Sequence, residues 1–186
     1  MSRSKSSKNW LKEHFDDPYV KQAQEAGYRS RAVFKLKEIN DKDRILKAEQ
    51  NIVDLGAAPG GWSEFARNLL PKSTLIYALD ILEMEPIEGV SFIQGDFTEE
   101  AVLNELIQAL EGHKINLVLS DMAPNISGMK AIDQPKAMYL AELALDFCQK
   151  NLTPNGVFLV KVFQGEGFDT YLQLLRRYFR KVVVRK

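Results

Sequence analysis

Cysteine and histidine are scarce in this chain, and their scarcity narrows what it can be. A single cysteine, Cys148, leaves nothing to form an internal disulfide and suits a reducing compartment. It lies in AMYLAELALDFCQKNL, where it reads as a buried helix residue. The two histidines, His14 and His113, stand far apart in polar stretches, so no metal site is expected and a solvated or locally bonded histidine is. No apolar run reaches the length needed to span a bilayer. The basic start MSRSKSSKNW has no apolar stretch behind it, which excludes a secretory signal. There is no internal repeat, low-complexity tract or Pro/Gly-rich linker. The expectation is one cytoplasmic, monomeric domain over residues 1–186, without a membrane role and large enough to bury a core. A hydrophobic share of 45% against 27% charged residues fits a folded rather than a disordered chain.

Net charge is also missing, with 25 Lys/Arg balancing 25 Asp/Glu, but the balance hides an asymmetry. Residues 1–47 carry a surplus of five positive charges, residues 161–186 another five, and the stretch between them ten negative. If the fold brings the two basic segments together, they make a cationic face suited to a polyanion. Charged helix faces that only keep the protein soluble would give the same count.

What is present is an alternation of strand and helix signals. A basic N-terminal extension, 1–47, reads as helices over 8–14, 18–26 and 30–41, with Gly27 stopping the second and Ser30 capping the third. Beyond it come the strand NIVDL, a Gly/Pro turn, the helix WSEFARNLL, and the strands TLIYALD and VSFIQGD. The helix EEAVLNELIQAL, the strand INLVLSD and a loop over 122–133 follow. The loop leads into a helix with Asp133 near its cap and Pro135 in its first turn. The strand GVFLVKVF, the helix FDTYLQLLRRYF and a last strand, KVVV, complete the series. Continuous apolar strands separated by helices predict a doubly wound α/β fold, a mostly parallel, Rossmann-like sheet covered on both faces. Ligands of such sheets bind beyond the carboxyl ends of the strands.

Those ends carry the chemistry. The first strand runs into Asp54-Leu55-Gly56-Ala57-Ala58-Pro59-Gly60-Gly61-Trp62, where glycines let the backbone turn sharply and approach a ligand. The spacing breaks the dinucleotide fingerprint G-x-G-x-x-G, because Ala58 and Pro59 intervene. Asp80 ends the second strand and is placed to accept from ribose hydroxyls. Asp96 ends the third, within reach of an adenine amino group, and Asp121 ends the fourth. Each alone would be an ordinary turn residue; three on one edge beside a glycine turn are harder to dismiss. Lys161 stands among Phe158, Leu159, Val160, Val162 and Phe163, an unusual place for a lysine. Either it lies at an edge with its ammonium in water, or it lies at the end of a central strand beside Asp121. The second is the expectation.

Together, DLGAAPGGWS, Asp80, Asp96, SDMAPN, AMYLAELAL and VKVFQGEGFD resemble the FtsJ/RrmJ family of ribosomal RNA 2′-O-ribose methyltransferases. RSRAVFKLKEI resembles the segment that precedes the fold in that family. The likeness runs from Trp10 to Lys186 and is to the bacterial branch that modifies a uridine of large-subunit (23S) rRNA. It implies a class I methyltransferase sheet that binds S-adenosyl-L-methionine through Gly56, Gly60, Trp62, Asp80, Asp96 and Asp121. It also implies that the catalytic Lys-Asp-Lys-Glu set falls on Lys35, Asp121 and Lys161, with no residue here matching the Glu. In the family that Glu follows on a strand paired with the one expected at 181–184, so a further edge strand beyond Lys186 is expected.

On this reading Lys161 is the base toward a ribose 2′-hydroxyl, with Asp121 and Lys35 positioning it. A lysine base needs its charged form disfavoured, which burial and a neighbouring cation promote. Arg29, Arg31, Lys37 and the basic run over 176–186 are candidates for RNA phosphates. Two rivals remain at this stage. One is a nicotinamide-dependent oxidoreductase on the same sheet, against which the broken fingerprint counts. The other is a non-catalytic RNA-binding relative, to which the unmatched Glu gives weight.

Overall fold

In the computed structural model, residues 18–185 are described, and the expected helix over 8–14 lies outside them. Two helices come first, α1 (Pro18–Glu25) and α2 (Ala32–Asp43). Gly27 stops α1 with a φ of 73°, and its N–H bonds back to Gln24 O at 3.1 Å. Ser30 does not cap α2. Arg31 holds the cap position and makes no capping hydrogen bond to the helix start, and the Ser30 hydroxyl faces Gly61 across the chain.

The remaining elements alternate: β1 (Asn51–Leu55), α3 (Gly61–Leu69), β2 (Leu75–Asp80), β3 (Ser91–Gln94), α4 (Glu100–Ala109), β4 (Ile115–Ser120), α5 (Lys130–Asn151), β5 (Leu152–Val160) and α6 (Phe168–Tyr178). The five strands form one sheet in the order β3-β2-β1-β4-β5, and every pair is parallel. This is the doubly wound arrangement expected. The order turns around at β1, so the crevice between the ends of β1 and β4 is where a ligand belongs.

Successive strand residues point to opposite faces, and the core divides accordingly. Ile52, Ile76, Leu117 and Leu119 pack with Leu36 and Ile39 of α2 and with Trp62 and Ala66 of α3. Val53, Leu55, Leu79 and Val118 pack on the other face, with Leu106 of α4 and with Ala144, Phe147 and Cys148 of α5. Cys148 is buried as expected, and burial pushes its thiol well above the usual range. α6 packs Tyr171 and Leu175 against Met138, Ala141 and Leu145 of α5. The N-terminal helices therefore supply a wall of the core, since α2 covers the same sheet face as α3.

Three boundaries differ from the sequence reading. α5 starts at Lys130, so Pro135 lies inside it rather than in its first turn. β5 begins at Leu152, has a register irregularity against β4, and pairs Val160 with Ser120 at its end. Lys161 thus follows β5 instead of lying within it, and among the described residues β5 is an edge strand, not a central one. Among the described residues, 181–184, expected as a strand, have no ladder partner. Val182 packs on the α6 cluster, and Arg185 ties the segment to Asp43 of α2 at 2.6 Å. A strand is held by hydrogen bonds to a neighbour, and apolar character alone does not make one.

These contacts differ greatly in weight. Replacing the fully buried Leu117 by alanine should cost about 2–5 kcal/mol. Asp43→Ala, which removes only the solvent-screened pair with Arg185, should leave the denaturation midpoint almost unmoved. Urea unfolding of both variants checks the ranking, and equal losses would contradict it.

Candidate active site

The sheet register lines up the chemistry. Leu55 pairs with Leu79 and with Ser120, and Ser120 pairs with Val160. One residue further along each strand path stand Gly56, Asp80, Asp121 and Lys161. The ladder carries through this row: Gly56 N–H bonds Leu79 O at 2.8 Å, Asp121 N–H bonds Leu55 O at 3.0 Å, and Lys161 N–H bonds Ser120 O at 2.9 Å. Four residues from four strands therefore share one edge because the strands end in register.

The glycine turn fits beneath this row only without side chains. Gly56 has a φ of 77°, and a Cβ there would lie 2.8 Å from the backbone nitrogen of Met122. Gly60 has a φ of 104°, and a Cβ there would meet Ile87 Cδ1 at 2.9 Å. The Ala58–Pro59 peptide is cis. A small open cleft lies over the turn, lined by Ser30, Ala32, Asp54, Gly56, Ala57, Ala58, Gly61, Trp62 and Asp121.

Of the expected cofactor residues, Gly56, Trp62 and Asp121 line this cleft; Gly60 adjoins its lining residue Gly61, Asp80 bonds its lining residue Ala58, and Asp96 is not among the lining residues. Asp80 accepts from the N–H groups of Ala58 at 2.9 Å and Leu82 at 2.8 Å, which fixes the glycine turn and leaves it lone pairs to spare. Asp96 accepts from the N–H of Thr98 at 2.9 Å and its hydroxyl at 2.7 Å. Trp62 is nearly buried and donates its indole N–H to Ala32 O at 2.8 Å. That bond ties the start of α2 to the cleft.

Lys161 Nζ lies 2.6 Å from Asp121 Oδ1. The contact is an ion pair by distance, and no well-angled hydrogen bond reaches that oxygen. The lysine is not buried, since 48% of its side chain is exposed. Among the described residues the strand it follows is an edge strand, while the expected place beside Asp121 holds. Lys35, expected beside it, pairs with Glu38 of its own helix at 3.0 Å, and Glu38 also holds Lys42 at 2.8 Å. The two ammonium groups hold the Glu38 carboxyl down at about 2.

Arg29, expected at RNA phosphate, is committed elsewhere. It pairs with Glu64 at 3.0 Å and donates to the carbonyls of Glu85 at 2.7 Å and Pro86 at 3.0 Å. It clamps the N-terminal segment to α3 and to the loop after β2. His113 bonds locally, its Nδ1 lying 2.9 Å from Leu110 O, and among the described residues no cluster of His, Cys, Asp and Glu could hold a metal.

The sequence reading missed Asp54. It lines the cleft with only 1% of its surface exposed, and Ser63 donates to its Oδ2 at 2.7 Å. Its Oδ1 has no partner. Burial, and then the nearby Asp121 and Asp80 charges, push its carboxyl up to about 7 against the Ser63 bond. An acid inside the apolar run NIVDL was a signal of the same kind as Lys161.

The FtsJ-like methyltransferase family matches residues 28–186. The chain belongs to that family. It is 60% identical over 183 residues to the ribosomal RNA large subunit methyltransferase E of Chromohalobacter salexigens, covering 98% of this chain and 87% of that protein. It is 58% identical over 186 residues to the enzyme of that name from Pseudomonas aeruginosa, covering 100% and 90%. Among solved structures, a putative ribosomal RNA methyltransferase from Plasmodium falciparum superposes with a TM-score of 0.79 at 30% identity, over 86% of this chain and 91% of that one.

The buried carboxyl of this methyltransferase makes its stability depend on pH. Asp54 binds its proton more tightly folded, near 7, than at its ordinary value of 3.8. The folded state then holds the extra proton between about pH 4 and 7, and stability should fall as pH rises through that window. Asp54→Asn removes the titration and should flatten the dependence. Unfolding free energies of both proteins at intervals from pH 4 to 8 test this; parallel curves would contradict it.

Proposed function

We propose that this methyltransferase transfers a methyl group from S-adenosyl-L-methionine to a ribose 2′-hydroxyl of large-subunit (23S) ribosomal RNA, at a uridine. The observation that carries the reading is the Asp121–Lys161 contact at the lip of the glycine-turn cleft. It stands one residue beyond the strand ends, where a donor held in the cleft and an acceptor outside it would meet. The large-subunit names of the relatives at 58–60% identity support the choice of substrate.

The cleft suits this cofactor. The unpartnered Oδ1 of Asp54, with Asp80 and Asp121 nearby, makes an acidic pocket that favours a ligand bearing positive charge. S-adenosyl-L-methionine carries an ammonium and a sulfonium. A dinucleotide would bring an anionic pyrophosphate against the same carboxylates, which disfavours the oxidoreductase. Gly56 and Gly60 leave the turn open where any side chain would intrude. Trp62, Asp80 and Asp96 would complete the set around the adenosine. Bound there, the cofactor supplies a methyl group already activated by its positive sulfur.

The protein then has to hold the hydroxyl in line, and positioning of that kind is worth up to roughly 7–11 kcal/mol. Asp121 fixes Lys161 Nζ, and Nζ, once its ammonium proton has passed to water, takes the hydroxyl proton as the new bond forms. The half-exposed side chain lets that proton pass on to water. Lys35, on the exposed face of α2, stands in this reading as an RNA-facing cation held in place by Glu38. Arg31, Lys37 and the exposed Arg176, Arg177 and Arg180 are the phosphate contacts, in place of Arg29.

Lys161→Ala should abolish methyl transfer to ribosomal RNA while calorimetry still detects cofactor binding. Near-normal turnover in that variant would remove Lys161 from the mechanism. Transfer by the unmodified protein should also fall steeply between about 50 and 200 mM salt, as phosphate contacts require. A flat response would leave those cations as ordinary surface.

A further inference from the structure

Phe163 is an aromatic side chain that the core does not use. Lys161, Val162 and Phe163 follow the end of β5 in succession, and their contacts set them apart. Val162 packs on the α6 cluster. Phe163 is in none of the core clusters and is 37% exposed. Its ring centre lies 5.7 Å from Lys161 Nζ. The position is held from behind: Gln134 of α5 donates to Phe163 O at 3.2 Å and to Glu166 O at 3.1 Å. A partly exposed ring pinned through its own backbone, beside the reacting ammonium, is a prepared surface rather than a stray apolar residue.

The substrate's geometry says what would cover it. On a ribose, the 2′-hydroxyl and the base hang from adjacent carbons. A sugar whose hydroxyl meets Lys161 Nζ therefore carries its own base into the space beside the ammonium, where the Phe163 ring stands. Inside an A-form helix both faces of a base are covered by its neighbours, so a protein ring can stack on it only once it has left that stack. Stacking needs only a π face and is indifferent to which base is present. Phe163 would thus position the nucleotide without reading its identity.

We infer that Phe163 is the platform on which the base of the target nucleotide stacks, and that the enzyme takes this nucleotide extruded from its helix. The inference rests on the proposed ribose 2′-hydroxyl chemistry at Lys161. It assigns Phe163 as a positioning residue and requires no chemical step of its own.

The test combines two deletions. One is Phe163→Ala; the other is an RNA fragment whose target nucleotide keeps its ribose but lacks its base. Methyl transfer is followed with labelled S-adenosyl-L-methionine, together with cofactor affinity and thermal midpoint. Loss of one base–aromatic stack predicts a fall in kcat/KM for RNA of roughly 5- to 100-fold, with cofactor affinity and midpoint unchanged. Phe163→Tyr should restore most of the rate. With the baseless RNA, wild type should fall to the level of Phe163→Ala, and the two losses should not multiply, because each removes the same contact. Full multiplication of the losses, or wild-type rates in Phe163→Ala, would overturn the platform. If the unmodified protein placed no methyl on any ribose, the reaction assignment itself would fail, a result separate from either of these.

Discussion

The close approach of two backbones at Gly56 is the constraint on which the site depends. β1 must turn into α3 directly under the chain leaving β4, and only a residue without a Cβ can hold a φ of 77° while lying against Met122. That contact brings Asp121 over the mouth of the glycine turn and sets the height at which β5 delivers Lys161. The parallel register does the rest. Because Leu55, Leu79, Ser120 and Val160 end level, the residues after them share one edge without any long loop to place them. Rigid strands thus position the strand-end groups, which suits the proposed reaction, whose barrier yields mainly to alignment.

The carboxylates of this edge divide their work by their partners. Asp80 is occupied with backbone N–H groups that shape the turn, Asp96 with its own loop, and Asp121 with Lys161. Asp54 keeps a buried oxygen with neither a hydrogen bond nor an ion pair, whereas Asp121 Oδ1 has the Lys161 ammonium beside it. An unpaired buried acceptor costs stability in the empty protein, and a ligand that supplies a donor or a positive charge relieves that cost. A site can be made tight for its cofactor in this way, by leaving a polar group unanswered until the cofactor arrives.

The N-terminal segment is part of this machinery and not an appendage to it. Arg29 joins it to α3 and to the loop after β2, and the Trp62–Ala32 bond joins it to the cleft wall. Ser30 and Ala32 line the cleft itself. One stretch of chain, 28–37, closes the cofactor side with Arg29 and offers Arg31, Lys35 and Lys37 to the outside. On the opposite flank the exit from β5 presents Lys161 and Phe163. In the proposed reaction, cofactor and acceptor would approach from different sides of the same strand ends.

Much was legible in the sequence because it is local. NIVDL, LIYALD and INLVLS announce buried strands by continuous apolar character, and the acids at their ends mark the working edge of a parallel sheet. The glycine spacing set aside a dinucleotide, and Lys161 beside Asp121 followed from two strand ends. What stayed hidden depends on neighbours far away in the chain. Among the described residues, strand order makes β5 an edge and leaves Lys161 half exposed, KVVV has no ladder partner, and carbonyls brought up by the loop after β2 hold Arg29. Asp54 was visible as a letter, yet its significance lies in burial and in the charges of Asp80 and Asp121, which no stretch of NIVDL contains. The sequence by itself determined which residues could form strands, turns and a charged edge, because periodicity and side-chain chemistry act over a few residues. Only the tertiary structure decided which of those charges are buried, paired or free to meet a substrate, because solvation and Coulomb energy depend on what surrounds a group in space.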